Sequence, residues 1–327
     1  MIRVGIIGGA GYTGGELLRI LLRHPDAEIA FVYSNSHAGK PLYAAHDDLY
    51  GDTELCFTDR LSAADILFLC MGHGKSAEFL NENPLIGRPC IIDLSQDFRN
   101  DPVFLAKGGE RREFVYGLPE CNCDRIRQAR CVANPGCFAT ALQLALLPLA
   151  HAGLLVDEVH VNGVTGSTGA GQSPSAATHF SWRNSNISIY KPFTHQHLKE
   201  VRRTLETIAA KPVPELNFLP VRGDFTRGIF LTAYMHTDVT EDELSALYKS
   251  YYDSAAFTFV RNEEISLKEV TGTNKCLLRV EKHGNKALIT SIIDNLTKGA
   301  SGQAVQNMNL MFGLNEKTGL NLKAIAF

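Results

Sequence analysis

The first half of the chain alternates short apolar runs with segments of helical periodicity. Residues 3–7 predict a buried strand, and residues 16–23 have apolar positions at helical spacing, ending at His24 and Pro25. The same pattern predicts strands at residues 28–33, 66–70, 90–94 and 131–133, with helices at 75–81 and 138–149. This rhythm indicates an α/β architecture, a parallel sheet covered on both faces.

The pattern changes after Gly153, where the strand-like runs become longer and more widely separated. Strands are predicted at residues 156–164, 228–236, 276–282 and 286–293, and helices at 198–209 and 241–252. Long strands with segregated helices are typical of an α+β domain, so we expect a mostly antiparallel sheet here. The predicted domains are residues 1–154, completed by the C-terminal helix of residues 299–327, and residues 155–298.

Composition narrows the class of protein. The 327 residues carry 32 Lys and Arg against 35 Asp and Glu, a formal net charge of −3. This balance lacks the basic excess that nucleic acid and anionic membranes require. The most apolar stretch, residues 139–155, is interrupted by Thr140, Gln143 and Pro148 and is too polar to span a bilayer. We expect a soluble, cytoplasmic protein with neither nucleic acid nor membrane as a partner.

The eight cysteines include no C-x-x-C pair. Several lie within apolar runs, as Cys70 and Cys90 do, which is typical of reduced, buried thiols. Cys121 and Cys123 are too close together for a tetrahedral zinc corner, and no second pair completes one. The sequence therefore predicts no metal site.

A glycine-rich segment joins the first strand to the first helix. It contains G-x-G-x-x-G spacing and also the wider spacing Gly8, Gly11 and Gly14. Glycines at such a turn let the backbone approach a pyrophosphate, whose charge is met by N–H groups and the helix dipole. We therefore predict a dinucleotide site formed by Gly8, Gly11, Tyr12, Thr13 and Gly14. The alternative is a tight turn without a ligand.

The end of the second strand indicates which dinucleotide binds. NAD sites usually have Asp or Glu about 20 residues after the glycines, whereas Ser34, Asn35, Ser36 and Lys40 follow this strand. Hydroxyls and a cation suit a 2′-phosphate, so Ser34, Ser36 and Lys40 predict NADP(H) in preference to NAD(H). The alternative for Lys40 is a solvated surface charge.

A cysteine begins the long apolar helix. Cys137 follows Asn134, Pro135 and Gly136, and a thiol at a helix N-terminus can be held as a thiolate near neutral pH. The Pro-Gly turn favours presentation of the next side chain over its burial. Cys137 is therefore a candidate nucleophile, with a structural thiol as the alternative.

Two histidines lie at the start of a helix predicted in the second domain. His195 and His197 are two positions apart, so they do not share a helix face as an i, i+4 zinc pair would. One can serve as general acid or base while Glu200 orients a ring. The alternative is a structural role for both.

Three further segments could meet an anionic substrate. Arg99 follows a predicted strand at the sheet edge where ligands collect, and suits a bidentate oxyanion contact. Residues 164–172 form a second glycine-rich loop, and residues 294–303 precede the last helix with another. Each alone is more often a turn than a site.

In combination these motifs resemble the N-acyl-γ-glutamyl-phosphate reductase family of arginine biosynthesis, which is related to aspartate-semialdehyde dehydrogenase. The resemblance covers nearly the whole chain: the Gly8–Gly14 loop, residues 34–40, 93–99 and 116–120, Asn134 to Cys137, the histidine cluster and residues 295–303. It implies a Rossmann NADP-binding domain and an α+β catalytic and oligomerisation domain that assembles into a dimer or tetramer.

The resemblance also assigns roles. It implies that Cys137 is the nucleophile and His195 the acid/base, with His197 and Glu200 in support. Arg99, Asn134 and Ser167 are then expected to bind substrate, and Gly169 and Asn295 to contact the cofactor. The implied reaction is NADPH-dependent reduction of an acyl phosphate through a Cys137 thioester, with protonated His195 as the donor to the oxyanion.

Departures from the family pattern leave the substrate open. This chain has Ser167-Thr168 and Gln172 in the second glycine loop, Gln196 between the histidines, and Asn35 near the cofactor strand, where the family commonly has different residues. Arg183, beside Trp182, could contact a longer acidic acyl group such as succinyl. The substrate could also be aspartyl or aminoadipyl phosphate, and the chain could instead be a non-catalytic NADP-binding regulator.

Overall fold

The structure is a computed structural model that describes residues 1–326, and the chain divides into two compact units. The first unit contains Met1–Gly136 and Ala300–Asn321, and the second contains Cys137–Gly299 and, of the described residues, 322–326. The sequence pattern placed this division at residue 154. The difference is the helix Cys137–His151, which packs against strands and helices of the second unit.

A seven-stranded sheet forms the centre of the first unit. Its strands are β1 Ile2–Ile7, β2 Ala27–Tyr33, β3 Phe57–Thr58, β4 Ile66–Leu69, β5 Cys90–Asp93, β8 Val115–Tyr116 and β9 Cys131–Ala133, with β6 Val103–Leu105 and β7 Arg111–Glu113 forming a separate hairpin. The order β3-β2-β1-β4-β5-β9-β8 is parallel throughout. Strands β4 and β9 are fully buried and β5 is nearly so, which explains their apolar sequences.

Four helices belong to the first unit: α1 Tyr12–Leu21, α2 Lys75–Glu82, α3 Pro119–Arg127 and, last in the chain, α8 Gly302–Met311. The first helix follows β1 after four residues, so the glycine-rich segment lies at the carboxyl edge of the sheet. Strand order reverses around β1, with β2 on one side and β4 on the other. Ligands of open parallel sheets bind at such an edge.

The second unit contains a mixed seven-stranded sheet. Its strands are β10 Val159–Thr165, β11 Ser188–Ile189, β12 Leu216–Arg222, β13 Ile229–His236, β14 Thr258–Arg261, β15 Cys276–His283 and β16 Lys286–Ile293, in the order β11-β12-β10-β13-β16-β15-β14. The pairs β10–β12 and β14–β15 are parallel and the others antiparallel. The sheet is therefore mixed, and the expectation of a mostly antiparallel sheet is confirmed only in part, at four of the six pairs. The long connections of residues 166–215 and 262–275 permit the parallel crossovers, which hairpin turns cannot make.

The second unit also contains four helices: α4 Cys137–His151, α5 Phe180–Arg183, α6 His197–Ile208 and α7 Glu241–Tyr251. Helix α4 is apolar on all sides and almost wholly buried, as expected for a helix inside a core. Pro148 lacks the N–H that would reach the Leu144 carbonyl. The Tyr252 hydroxyl donates to that carbonyl at 2.6 Å, so tertiary packing replaces the missing helical hydrogen bond.

Candidate active site

The glycine loop between β1 and α1 fits a dinucleotide phosphate. Gly8 has φ +78°, and a Cβ at Gly14 would lie 2.4 Å from the Gly9 carbonyl oxygen, so both positions need glycine for reasons internal to the protein. Gly11 is different, because its Cβ would meet only the Gly8 oxygen at 3.8 Å, and its φ is an ordinary −84°. The space above Gly11 is therefore open to a ligand rather than filled by the protein.

Tyr12 and Thr13 begin α1, with Tyr12 exposed and Thr13 partly buried. The Thr13 carbonyl accepts a hydrogen bond from Ser301 Oγ at 2.8 Å, which links the loop to the start of α8. The Thr13 side chain also bonds the Cys70 thiol, but burial dominates and raises the pKa of that thiol to about 12. Cys70 is therefore an inert thiol beside the loop.

The residues predicted to select NADP(H) lie together after β2. Ser34 is buried and its Oγ is 3.4 Å from Ser36 Oγ, which in turn is 2.9 Å from His37 Nδ1. Lys40 is exposed, and its N–H donates to the His37 carbonyl at 2.9 Å. The turn thus gathers two hydroxyls, an imidazole and an ammonium group. Sequence reasoning missed His37, which no motif distinguished.

Arg99 and Asn134 are buried and bonded to the first unit itself. Arg99 donates from Nε to the Asn134 carbonyl at 2.8 Å and from Nη2 to the Leu94 carbonyl at 2.9 Å. Asn134 donates from Nδ2 to the Ala300 carbonyl and accepts at Oδ1 from Asn307, both at 3.0 Å. These contacts hold the backbone immediately before Cys137. Phosphate binding by the two side chains stays a prediction.

Asp93 lies under the same segment. Its carboxylate is fully buried and accepts from Ser76 Oγ at 2.6 Å and Ser95 Oγ at 2.8 Å. Burial raises the pKa of Asp93 to about 6, although these hydrogen bonds and the charge of Arg99 oppose the shift. The sequence did not single out Asp93 as a functional residue, and its hydrogen bonds give it a structural role in fixing the end of β5.

Cys137 is the first residue of α4, where the helix dipole favours a negatively charged sulfur. Its side chain is partly exposed and, like the other seven cysteines, is not in a disulfide. A Cβ placed at Gly299 would lie only 2.8 Å from Cys137 Cβ. Gly299 is therefore required for the close approach of its turn to the nucleophile, a role that the glycine-rich sequence around it did not reveal.

Four rings surround His195, which is 4% exposed. Phe138, Tyr190 and Phe218 each lie 5.6 Å from its centroid in edge-on contacts, and His197 lies 4.7 Å away. Phe138 follows Cys137 directly in the chain, so α4 brings the cysteine to the same region of the second unit as this histidine.

Burial, reinforced by Lys191, lowers the pKa of His195 to about 4. The imidazole is therefore neutral at neutral pH, which corrects the expectation of a protonated ring. Its Nδ1 accepts the His197 N–H at 3.3 Å, so the neutral ring carries its proton on Nε2. This tautomer can still donate a hydrogen bond to an oxyanion.

His197 and Glu200 form a pair on the first turn of α6. His197 Nε2 lies 3.7 Å from Glu200 Oε1, and both side chains are buried. Glu200 thus lies beside the His197 ring, which contacts the His195 ring edge-on. The structure thus groups the four predicted catalytic and supporting residues in the second unit.

Three residues that sequence reasoning had not grouped complete this region. Arg222 Cζ lies 4.0 Å from the centroid of the Tyr190 ring. The charges of Arg222 and Tyr190 both act on the pKa of Arg183. Burial, with a charge interaction from Cys137, raises the pKa of Tyr190, so its phenol stays protonated. Tyr190 and Arg222 lie in separate segments without a shared motif, which is why no local pattern pointed to them.

The second glycine loop is fixed by Asn295. Its Oδ1 accepts the Gly228 N–H at 2.7 Å, and its Nδ2 donates to Thr168 Oγ1 at 3.0 Å. Gly169 lies beside this contact, and the Ser167 N–H bonds the Phe225 carbonyl at 2.9 Å. Asn295 thus ties the end of β16 to the loop. Cofactor contacts by Gly169 and Asn295, and a substrate contact by Ser167, stay predictions.

Comparisons with known proteins identify the family. Residues 3–129 match the family described as semialdehyde dehydrogenase, NAD binding domain, and residues 137–295 match the semialdehyde dehydrogenase dimerisation domain. A protein of Christiangramia forsetii named N-acetyl-gamma-glutamyl-phosphate reductase is 57% identical over 99% of both chains. The chain belongs to this reductase family. A protein of the same name from Flavobacterium johnsoniae is 55% identical over 100% of both chains.

Solved structures of semialdehyde dehydrogenases share the fold. Aspartate semialdehyde dehydrogenase II from Vibrio cholerae, complexed with ASA, superposes with a TM-score of 0.72 at 18% identity, covering 96% of this chain and 98% of that one. The enzyme from Candida albicans with NADP gives a TM-score of 0.68 at 12% identity, covering 95% and 98%. At these identities the likeness establishes the fold of this reductase family member.

Two negative findings concern the described part of the chain. Among residues 1–326, no helix is long and apolar enough to cross a membrane. Within the same range, no three His, Cys, Asp or Glu side chains are grouped to hold a metal ion.

Proposed function

We propose that this chain reduces N-acetyl-γ-glutamyl phosphate to N-acetylglutamate 5-semialdehyde and inorganic phosphate in arginine biosynthesis. The observation that carries this proposal is 57% identity, over 99% of both chains, to a relative bearing that reductase name. The grouping of a helix-start cysteine with a buried histidine supports the same chemistry. The first unit binds the cofactor and the second performs acyl transfer.

NADP(H) is the proposed cofactor. The open space above Gly11 and the N-terminus of α1 suit its pyrophosphate, and Ser34, Ser36 and Lys40 suit its 2′-phosphate. NADPH, when bound, supplies the hydride that brings the acyl group to the aldehyde level. No carboxylate among residues 33–40 opposes the 2′-phosphate.

Cys137 carries the acyl group. Its sulfur attacks the γ-acyl carbon, a C–S bond forms, and the C–O bond to phosphate breaks with the electron pair leaving on phosphate. The chain then holds a thioester. After reduction, the C–S bond breaks and the sulfur returns to the thiolate. The dipole of α4 stabilises negative charge on the sulfur before attack and after release.

His195 stabilises the carbonyl oxygen. Its Nε2–H donates a hydrogen bond to that oxygen as negative charge develops there, and the neutral ring keeps its proton when the carbonyl re-forms and phosphate or the thiolate leaves. The His197 N–H at Nδ1 fixes this tautomer. His197 and Glu200 are positioning residues in this scheme.

Arg222, Arg183 and Tyr190 are proposed to bind the acidic end of the substrate. Burial and the charge of Arg222 both lower the pKa of Arg183. The two guanidinium groups, with Arg222 held over the Tyr190 ring, are donors suited to a carboxylate. Ser167 is proposed to contact the same substrate. Arg99 and Asn134 are proposed to bind the phosphoryl group of the substrate. Their hydrogen bonds also hold the backbone that precedes Cys137.

The second unit is proposed to form the homo-oligomer, a dimer or tetramer, since its match is to a dimerisation domain. The cytoplasm is the proposed location, because all eight cysteines are free of disulfides, which suits a reducing compartment.

The deciding experiment is the reverse reaction with N-acetylglutamate 5-semialdehyde, NADP⁺ and phosphate. Absorbance at the NADPH wavelength should rise only when phosphate is present, and the Cys137→Ala variant should give no rise while still binding NADPH. Reduction of NADP⁺ without phosphate, or in the Cys137→Ala variant, would overturn the proposal. The semialdehydes of N-succinylglutamate, aspartate and aminoadipate, tested alongside, establish the substrate preference.

A further inference from the structure

A buried histidine outside every motif contacts the glycine loop. His46 is 8% exposed and lies between two short 3-10 turns, Leu42–Ala44 and Asp47–Leu49. Its Nε2 is 2.8 Å from the carbonyl oxygen of Gly9. Since a carbonyl oxygen can only accept, the histidine must be the donor.

The chain makes room for this ring within the first helix. A Cβ at Gly15 would lie 2.7 Å from both Cε1 and Nδ1 of His46, so only glycine allows the ring to dock. Glycine inside a helix is less favourable than alanine by about 1 kcal/mol. The close approach of His46 explains why α1 nevertheless has glycine at this position.

Neighbouring residues fix both the N–H and the carbonyl of Gly9 and leave no room for a side chain. Its N–H donates to the Tyr33 carbonyl at 3.2 Å, and a Cβ on it would lie 2.2 Å from Val32 Cγ1. Its carbonyl oxygen lies against Gly14, where an added Cβ would be 2.4 Å away. His46 supplies the remaining restraint, a hydrogen bond that fixes the direction of the carbonyl.

The direction of that carbonyl decides what the loop presents to a ligand. The peptide bonds of the described residues are trans, and a planar trans peptide points its C=O and the following N–H in opposite directions. With the Gly9 carbonyl directed to His46, the N–H of Ala10 is directed away from His46. A rotated peptide would instead present a carbonyl oxygen to the phosphates and repel them.

We infer that His46 is a positioning residue for dinucleotide binding, which orients the Gly9–Ala10 peptide so that the loop offers an N–H to the pyrophosphate. The inference rests on the proposed function, because it concerns NADPH as the ligand. It adds a residue that acts through the backbone rather than by touching the cofactor.

The test compares His46→Gln with His46→Met, two unbranched side chains that differ in their terminal donor. Dissociation constants for NADPH are measured by quenching of protein fluorescence, with no turnover required. Loss of one buried donor and of the peptide restraint should weaken NADPH binding about tenfold in His46→Met. His46→Gln should recover most of the affinity. In kinetics, KM for NADPH should rise in His46→Met while kcat at saturating NADPH changes little.

Two controls separate this role from a general loss of stability. His24 is a second buried histidine of the first unit, bonded through Nε2 to Asn309 Oδ1 at 3.0 Å and not to the glycine loop. His24→Met should lower thermal stability and leave the NADPH dissociation constant unchanged. The fragment 2′-AMP lacks the pyrophosphate, so its affinity should be the same for wild type and His46→Met.

Equal NADPH affinity in His46→Met and wild type would overturn the inference, as would an equal loss in the Gln and Met variants. Weaker 2′-AMP binding in His46→Met would also contradict it, because the effect would then not act at the pyrophosphate. Failure of the wild-type chain to bind NADPH would instead refute the proposed function, so the two failures are distinguishable.

Discussion

Gly299→Ala adds one methyl group directly against the nucleophile. The new Cβ would lie 2.8 Å from Cys137 Cβ, 3.2 Å from Cys137 Cα and 3.2 Å from the Asp294 carbonyl oxygen. Ordinary contact begins near 3.4 Å, so the cysteine or its neighbouring turn must move by at least about 0.6 Å. Two of these three atoms belong to the backbone, which cannot rotate away as a side chain can.

This displacement should reduce catalysis more than folding. Overpacking of a buried site costs about 1–3 kcal/mol of unfolding free energy. A misplacement approaching 1 Å at a reacting group costs on the order of 100-fold in rate, so we expect kcat to fall between about 10- and 100-fold.

The assay is kcat for phosphate-dependent reduction of NADP⁺, with NADPH affinity and urea unfolding measured in parallel. Gly108→Ala is the matched control, because the same methyl group there would meet no atom within 4 Å. It should leave all three quantities unchanged. A Gly299→Ala variant with wild-type kcat and wild-type stability would refute the close packing of Gly299 on Cys137.

Three further predictions concern the second unit. Cys137→Ser should lose more than about 1,000-fold in kcat with NADPH affinity unchanged, measured by stopped-flow and fluorescence, because an alkoxide does not form as readily as a thiolate. The pKa of His195 is lowered to about 4 from 6.5, so the stabilisation from its neutral form is present above pH 6.5 and is lost as the pH falls towards 4. The change in unfolding free energy from pH 7 to pH 5, measured by urea unfolding followed by Trp182 fluorescence, should therefore be about 2 kcal/mol more unfavourable in the wild type than in His195→Gln, because both proteins keep the opposite contribution of Asp93. Arg222→Gln should raise KM for the acyl phosphate about tenfold or more while phosphate and NADPH constants stay unchanged, and an unchanged KM would remove Arg222 from the substrate site.

Local pattern predicted the elements whose residues are contiguous. The apolar runs of β1, β4 and β5 and the periodicity of α1 depend on burial along one segment, which the sequence displays directly. The position of Cys137 at a helix start was readable for the same reason, because the Pro-Gly turn and the apolar run are adjacent.

Pairing direction and long-range contacts were not readable in this way. The parallel pairing of β10 with β12 depends on a crossover that runs through residues 166–215, and no local signal in either strand encodes it. The contact of Arg222 with Tyr190 and that of His46 with Gly9 join segments more than 30 residues apart. Such contacts arise from tertiary packing, and neither residue pair forms a motif.

The neutral form of His195 could not be predicted from the sequence either, because it depends on tertiary packing. A histidine in an unfolded segment titrates near pH 6.5, and sequence alone indicates no departure from that value. Burial among aromatic rings lowers its pKa, and only the structure contains those rings.

The position of helix α8 in the first unit affects how that unit folds during synthesis. Asn307 donates to the Gly117 carbonyl at 2.9 Å, and Asn309 Oδ1 lies 3.0 Å from His24 Nε2, so residues synthesised later satisfy polar groups synthesised earlier. Residues 137–299, which form most of the second unit, are synthesised after the first part of the first unit and before α8. The Gly117 carbonyl and the His24 ring therefore lack these partners until α8 emerges. During that interval the nascent chain depends on its own residual structure or on chaperones to avoid premature association.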